Sequence, residues 1–144
     1  DTDAALIALE KVASSSSDGY ITLAKMKQAS ILISDGKIDD GLKLYEDLEN
    51  TAVDSSFRDI STLFYVLNAM DYKPVDFLMK KLDKFSDNNP WSATANELRA
   101  FLFLKDGNTN DAKKMFEKIS TRQDVPRDIK GRSNDMLNFL KNKN

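Results

Sequence analysis

Asp106, Asn108, Asn110 and Glu117 stand at positions one, three, five and twelve of a segment whose spacing matches the ligand positions of a calcium-binding loop. Such a loop needs glycine at its sixth position for the sharp turn, and that position is Asp111. Its eighth position, normally apolar, is Lys113. The segment from Asp35 to Glu46 also has acids at both ends, yet Lys37 occupies its third position. Acids shared by two segments of which one cannot bind calcium read as turn chemistry, so no calcium site is expected. The other residue types that do chemistry are missing. Histidine and cysteine are both absent, which removes thiolate nucleophiles, disulfides, a serine–histidine–aspartate triad and an ordinary zinc site. General acid–base work near neutral pH would then need a shifted carboxylate or lysine. The expectation is a chain with no catalytic set, no metal site and no cofactor.

The two acidic segments sit inside a longer internal match. Residues 29–46 pair without a gap with residues 100–117, aligning Ala29 with Ala100, Asp35-Gly36 with Asp106-Gly107, Gly41 with Ala112, and Tyr45-Glu46 with Phe116-Glu117. In each copy an apolar helical run stops at Asp-Gly, where glycine supplies the left-handed residue that closes a helix. A second run then starts at a small residue and carries an aromatic four places later. The small residue allows close helix approach, so a bulky side chain at Gly41 is expected to destabilise the fold.

The rest of the chain extends this helix–turn–helix pattern. Residues 3–13 read as a helix with Leu6, Leu9 and Val12 on one face, spaced like the second helix of a pair. Pairs follow over 20–50, 57–85 and 91–120, and Pro126 opens a capping helix over 126–142. Asn89-Pro90-Trp91 is the clearest helix start, with Trp91 heading an apolar stripe of Ala95, Leu98 and Leu102. Trp91 reads as a packing residue. The residues that begin each second helix, Ala5, Gly41, Val75 and Ala112, lie 36, 34 and 37 apart. That period fits a tetratricopeptide-like solenoid of helical hairpins. The expected architecture is all-α, a single domain over 1–144 with about seven to eight antiparallel helices. Its opening half-repeat leads us to expect further helices upstream of Asp1.

In a stack of this kind the first helix of each pair lines a groove. This places Leu23, Met26 and Ile33 there from the first pair, Phe57, Ile60, Phe64 and Leu67 from the second, and Phe101 and Leu104 from the third. An apolar groove marks either an interaction surface or a seam filled by the protein's own helices. The net charge of −2 gives no general attraction to nucleic acid. From Lys118 onward, Lys118, Arg122, Arg127, Lys130, Arg132, Lys141 and Lys143 outnumber Asp124, Asp128 and Asp135. This basic tail reads as a solvated capping helix, or else as a surface for an acidic partner. No run of 18 apolar residues is present, and no signal-peptide pattern opens the chain.

The order helix–Asp-Gly–helix, followed by Asn89-Pro90-Trp91, Glu97-Leu98-Arg99-Ala100, Asp106-Gly107-Asn108 with Ala112 and Phe116, and Val125-Pro126-Arg127, resembles the YfgM-like tetratricopeptide proteins of bacterial envelopes. The resemblance covers most of the chain and is clearest over 89–140. It implies the periplasmic part of a protein anchored in the inner membrane by a helix this chain lacks, acting near the Sec translocon and a periplasmic chaperone. It implies a protein partner or exported polypeptide as ligand and supplies no catalytic residues. The middle pair departs from the pattern, with Met70-Asp71 in place of Asp-Gly and Val75 in place of a small residue. The residues alone support a non-enzymatic interaction module, or alternatively a self-assembling repeat protein whose groove is filled by another copy.

Overall fold

The computed structural model describes residues 2–15 and 17–142. Among these, all regular structure is helical: α1 (Thr2–Ser15), α2 (Asp18–Ser34), α3 (Ile38–Thr51), α4 (Ser55–Ala69), α5 (Val75–Leu82), α6 (Ser92–Lys105), α7 (Thr109–Thr121) and α8 (Arg127–Lys141). Every helix expected from periodicity is present. No helix among the described residues is long and apolar enough to cross a membrane.

The two Asp-Gly turns have the same hydrogen-bonded form. Gly36 and Gly107 are left-handed, with φ of 81° and 76°. Lys37 N–H donates to Leu32 O at 2.8 Å and Gly36 N–H to Ile33 O at 3.0 Å. In the second copy Asn108 N–H donates to Phe103 O at 2.8 Å and Gly107 N–H to Leu104 O at 3.1 Å. This is the Schellman closure, which satisfies carbonyls that the end of a helix leaves without partners. Asn108 then caps α7, its Oδ1 accepting from Asp111 N–H at 3.2 Å while its Nδ2 donates to Asp111 Oδ2 at 2.7 Å. Asn108, at the third position of the calcium-like spacing, is therefore engaged in opening α7.

The chain forms two compact units, residues 1–69 and 70–144. The boundary divides the expected middle pair, at the place where Met70-Asp71 replaces Asp-Gly. In the first unit α1 packs on α2, α2 on α3, and α3 on α4, with α2 also touching α4. Ala29, Leu42, Tyr45, Leu48, Val66 and Ala69 are buried there. Gly41 sits where a Cβ would lie 2.5 Å from Ile33 Cγ1 and 2.7 Å from Ala29 O. A Cβ at this place would have to displace neighbouring backbone, where the repeat pattern predicts a small residue. Buried Ser61 and Thr62 in α4 donate to Phe57 O and Arg58 O within the same helix, at 2.7 and 3.2 Å. These bonds satisfy hydroxyls that would otherwise be costly to bury.

In the second unit α6 packs against α5, α7 and α8, and α7 against α8. Its core joins Ala100, Ala112, Phe116, Ile119, Ile129, Leu137 and Leu140. Arg99 fastens α5 to α6: its guanidinium donates to Leu82 O and Phe85 O at the end of α5 and to Asn96 Oδ1 at 2.7 Å. Trp91 is half-buried and precedes the first residue of α6, one place earlier than the stripe predicts. Asn89 accounts for this offset, because its Oδ1 accepts from Trp91 N–H at 2.8 Å and holds that residue in the turn. Ala95, Leu98 and Leu102 are buried as expected.

Candidate functional site

The apolar residues expected to line a groove divide by unit, and each unit treats its share differently. In the first, α2 and α4 both pack on α3 and touch each other, so they lie side by side on one flank of it. Several apolar residues of both helices remain exposed. On α2 the exposed residues Tyr20, Leu23, Lys27, Ser30 and Ser34 follow the alternating three-and-four spacing of a single helical stripe. On α4 the stripe is Phe57, Ile60, Phe64 and Leu67, apolar throughout. Leu23 is 51% exposed, Phe64 40% and Leu67 52%. Phe57, Ile60, Met26 and Ile33 are half-buried. After its first turn α4 has no fully exposed charged residue, although a helix facing solvent normally carries charge there.

Tyr45 on α3 ties the two flanking helices together. Its ring stacks on Phe64 with centroids 5.6 Å apart, and its hydroxyl donates to Met26 O at 3.5 Å. Burial pushes the Tyr45 phenol above its ordinary pKa. Met26 and Phe64, both read from sequence as groove residues, are thus brought to one side chain. Lys25 on α2 adds an ion pair to Asp47 on α3 at 3.0 Å.

Phe101 and Leu104 belong to the second unit and, like Met26, Ile33, Phe57 and Ile60, are half-buried. Both are half-buried against the core of the second unit, and Phe101 meets Phe116 edge-on with centroids 5.5 Å apart. The packing of α8 onto α6 and α7 supplies the core these residues join. The repeat pattern places Leu23, Phe64 and Leu67 in a groove, and in the structure all three are exposed. It did not single out Tyr20, whose place at the head of the Leu23–Lys27 stripe was the available signal.

The charged residues of the second unit mostly engage one another. Lys118 pairs with Asp87 at 2.7 Å and Arg122 with Asp124 at 2.9 Å. Arg132 grips Glu97 through two bonds, at 2.9 and 3.1 Å. Four of the expected basic-tail residues, Lys118, Arg122, Lys130 and Arg132, are spent on such internal contacts. Lys143 lies outside the described residues. The loop before α6 and the loop before α8 border an open cleft of about 410 Å³, lined by Asp87, Asn89, Ser92, Arg122 and Asp124 among others. The Lys118 bond holds the Asp87 carboxyl below its ordinary range, and Lys114 and Arg122 do the same for Asp111 and Asp124. A general acid near neutral pH would need the opposite shift.

Comparison with known proteins finds no matching family model, no matching curated protein and no matching solved structure.

Proposed function

We propose that the chain is a tetratricopeptide-like helical-repeat module that binds protein through the α2–α4 face of its first unit, without catalysis. The observation that carries this reading is the exposure of three large apolar side chains, Leu23, Phe64 and Leu67, on helices that touch each other, since exposed apolar patches mark interaction surfaces. Its ligand is an apolar polypeptide segment laid along the stripe, the helix-in-groove mode. The resemblance to YfgM-like proteins adds a setting: the periplasmic face of a bacterial inner membrane, with exported chains or chaperones near the Sec translocon as partners. Photo-crosslinking groups at Leu23, at Leu67 and, as control, at Lys43 on α3 test this in the native membrane. Protein adducts from the first two positions and none from the third are expected, with translocon subunits or exported chains among them. Equal labelling at all three positions, or none, would overturn the site.

A second reading is self-assembly. Ile7 and Val12 on α1 are 55% and 39% exposed, and copies joined through α1 would cover them. Light scattering decides between the two, since a monomer with wild-type sequence that becomes no smaller on Ile7→Asp excludes assembly through α1.

A further inference from the structure

We infer that Asp18-Gly19 is a site of spontaneous covalent modification, where the aspartyl bond closes to a succinimide and reopens to the β-linked isomer, while the fold restrains the other Asp-Gly pairs of the chain. Those others are Asp35-Gly36, Asp40-Gly41 and Asp106-Gly107. Sequence alone does not rank the four, because glycine leaves the attacking nitrogen unhindered in each. Exposure of the acid does not rank them either, since all four aspartates are exposed. Backbone geometry does. In ring closure the glycine nitrogen bonds to the aspartate Cγ, and a carboxyl oxygen leaves as water with its own proton and the amide proton. Water then reopens the ring. Attack at the side-chain carbonyl restores aspartate, and attack at the main-chain carbonyl gives the β-linked isomer.

To reach Cγ, the glycine nitrogen must swing about the aspartate Cα–C bond until it lies beside Cβ. At the repeated turns Asp35 and Asp106 have ψ of 7° and 2°, which points the glycine nitrogen at the aspartate's own nitrogen and away from Cβ. Gly36 N–H and Gly107 N–H are held by Ile33 O and Leu104 O, and the next amides by Leu32 O and Phe103 O. The swing would break both bonds of each closure. At Asp40-Gly41 the Gly41 N–H donates to Lys37 O at 3.1 Å, and the glycine is packed against Ile33 and Ala29. Asp18 and Gly19 are instead the first two residues of α2. Amides this early in a helix have no intrahelical carbonyl to donate to, and the N-cap Ser17 makes no side-chain capping bond. Among the described residues nothing lies within 4 Å of a Cβ built at Gly19, so the peptide has room to turn. The swing disturbs the Thr22 Oγ1 bond to Asp18 O, at 2.9 Å, and the opening turn of one helix, where local unfolding is least costly. The isomer carries an extra methylene in the main chain just ahead of Tyr20 and Leu23.

The full chain, warmed at neutral pH and sampled over weeks, tests this by peptide mapping with electron-transfer fragmentation, which separates the two isomers. Labelling by an isoaspartyl methyltransferase gives an independent total. The β-linked residue should accumulate at Asp18 several-fold faster than at Asp35, Asp40 or Asp106. In concentrated urea the four rates should converge, because the bonds that restrain three of them are gone. Gly19→Ala, which the open space admits, should slow the reaction at Asp18 sharply and leave the other three as they are.

Equal rates at the four positions in the folded chain, or a faster rate at any of the other three, would overturn the assignment. So would the same ranking in urea, since flanking sequence and not the fold would then set the order. A folded chain that stays unmodified at Asp18 while urea produces the isomer at all four positions would show that the first turn of α2 restrains its peptide as firmly as the closed turns do, and the inference would fall.

Discussion

Tyr45 and Phe116 occupy matching positions in the two repeated hairpins, yet their surroundings differ. Both are buried, and each meets a phenylalanine of a neighbouring helix at almost the same distance, 5.6 and 5.5 Å. The partner of Phe116 is Phe101, half-buried in a core to which α8 contributes Ile129, Leu137 and Leu140. The partner of Tyr45 is Phe64, on the exposed face of α4. One repeat unit therefore gives a closed core in the second unit and an open apolar face in the first. The helix that follows each hairpin packs alike, α4 on α3 with a touch on α2 and α8 on α7 with a touch on α6; what differs is that the partner ring comes from that following helix in the first unit and from the hairpin's own first helix in the second. A hairpin repeat sets the place of the buried aromatic, and the helix that supplies its partner ring differs between the units, with Phe64 exposed and Phe101 half-buried.

Truncating the ring partners should expose this contrast most strongly. Phe116→Ala removes a fully buried ring and should cost about 3–5 kcal/mol. Phe64→Ala removes a part-exposed ring and one stacking contact, and should cost about 1 kcal/mol. Urea denaturation of the two variants checks the difference. Equal losses would mean that the part-exposed Phe64 ring contributes as much as the fully buried Phe116 ring.

The next effect concerns the small residues. Gly41→Ala forces a Cβ to within 2.7 Å of the Ala29 carbonyl oxygen, and backbone at a helix contact has little room to give. We expect a loss of about 1–3 kcal/mol from overpacking, only partly offset by the 0.5–1 kcal/mol or so that alanine gains in helix propensity. Ala112 shows that the second hairpin already accepts a methyl group at the matching place. Ala112→Gly should cost about 1 kcal/mol, mainly through propensity and a small lost contact. In a chain of this size each kcal/mol moves the melting temperature by roughly 2–4 °C. A Gly41→Ala variant that melts higher than wild type would contradict the close approach.

These inner contacts were legible in the sequence because they are local. The Asp-Gly stops, the small residue and the aromatic four places on recur at fixed spacing, and each dictates geometry within a few residues. The placement of Phe101 and Leu104 was not legible in the same way. They sit at the groove positions of their repeat, and the structure packs both against a core that residues of α7 and α8, later in the chain, help to build. Arg99 also escaped notice, since nothing in its neighbours shows that it will reach the end of α5. Helical period reports which side of a helix is apolar, but not which later helix will cover that side.

Acid should separate the units next. Asp87 anchors Lys118 in the second unit, and the bond from Lys118 holds its carboxyl below the ordinary value of 3.8. A carboxyl with a depressed folded value stabilises fully above its unfolded value and loses that contribution as pH falls through the folded one. Asp87→Asn should therefore lower the melting temperature slightly at pH 7, with the difference from wild type shrinking as pH falls below the ordinary value of 3.8. The pair is well exposed, so the effect at pH 7 is small. A difference that persists undiminished in acid would mean that Asp87 acts through packing instead of charge.

The smallest effect is expected at the hydroxyl that distinguishes the two aromatics. Tyr45 donates to Met26 O at 3.5 Å, the far limit of a hydrogen bond. Met26 O lies inside α2, where the helix supplies its own donor. Tyr45→Phe thus removes a weak second bond and leaves no buried group unsatisfied, so it should cost under about 0.5 kcal/mol. The reverse change in the second unit is not its mirror image. Phe116 is fully buried among apolar side chains, and Phe116→Tyr would bring in a hydroxyl with no carbonyl shown to receive it, at about 1–3 kcal/mol. If instead Tyr45→Phe cost as much as Phe116→Tyr, the Tyr45 hydroxyl would be holding α2 and α4 together. The open face of the first unit would then depend on a polar tether as well as on ring stacking.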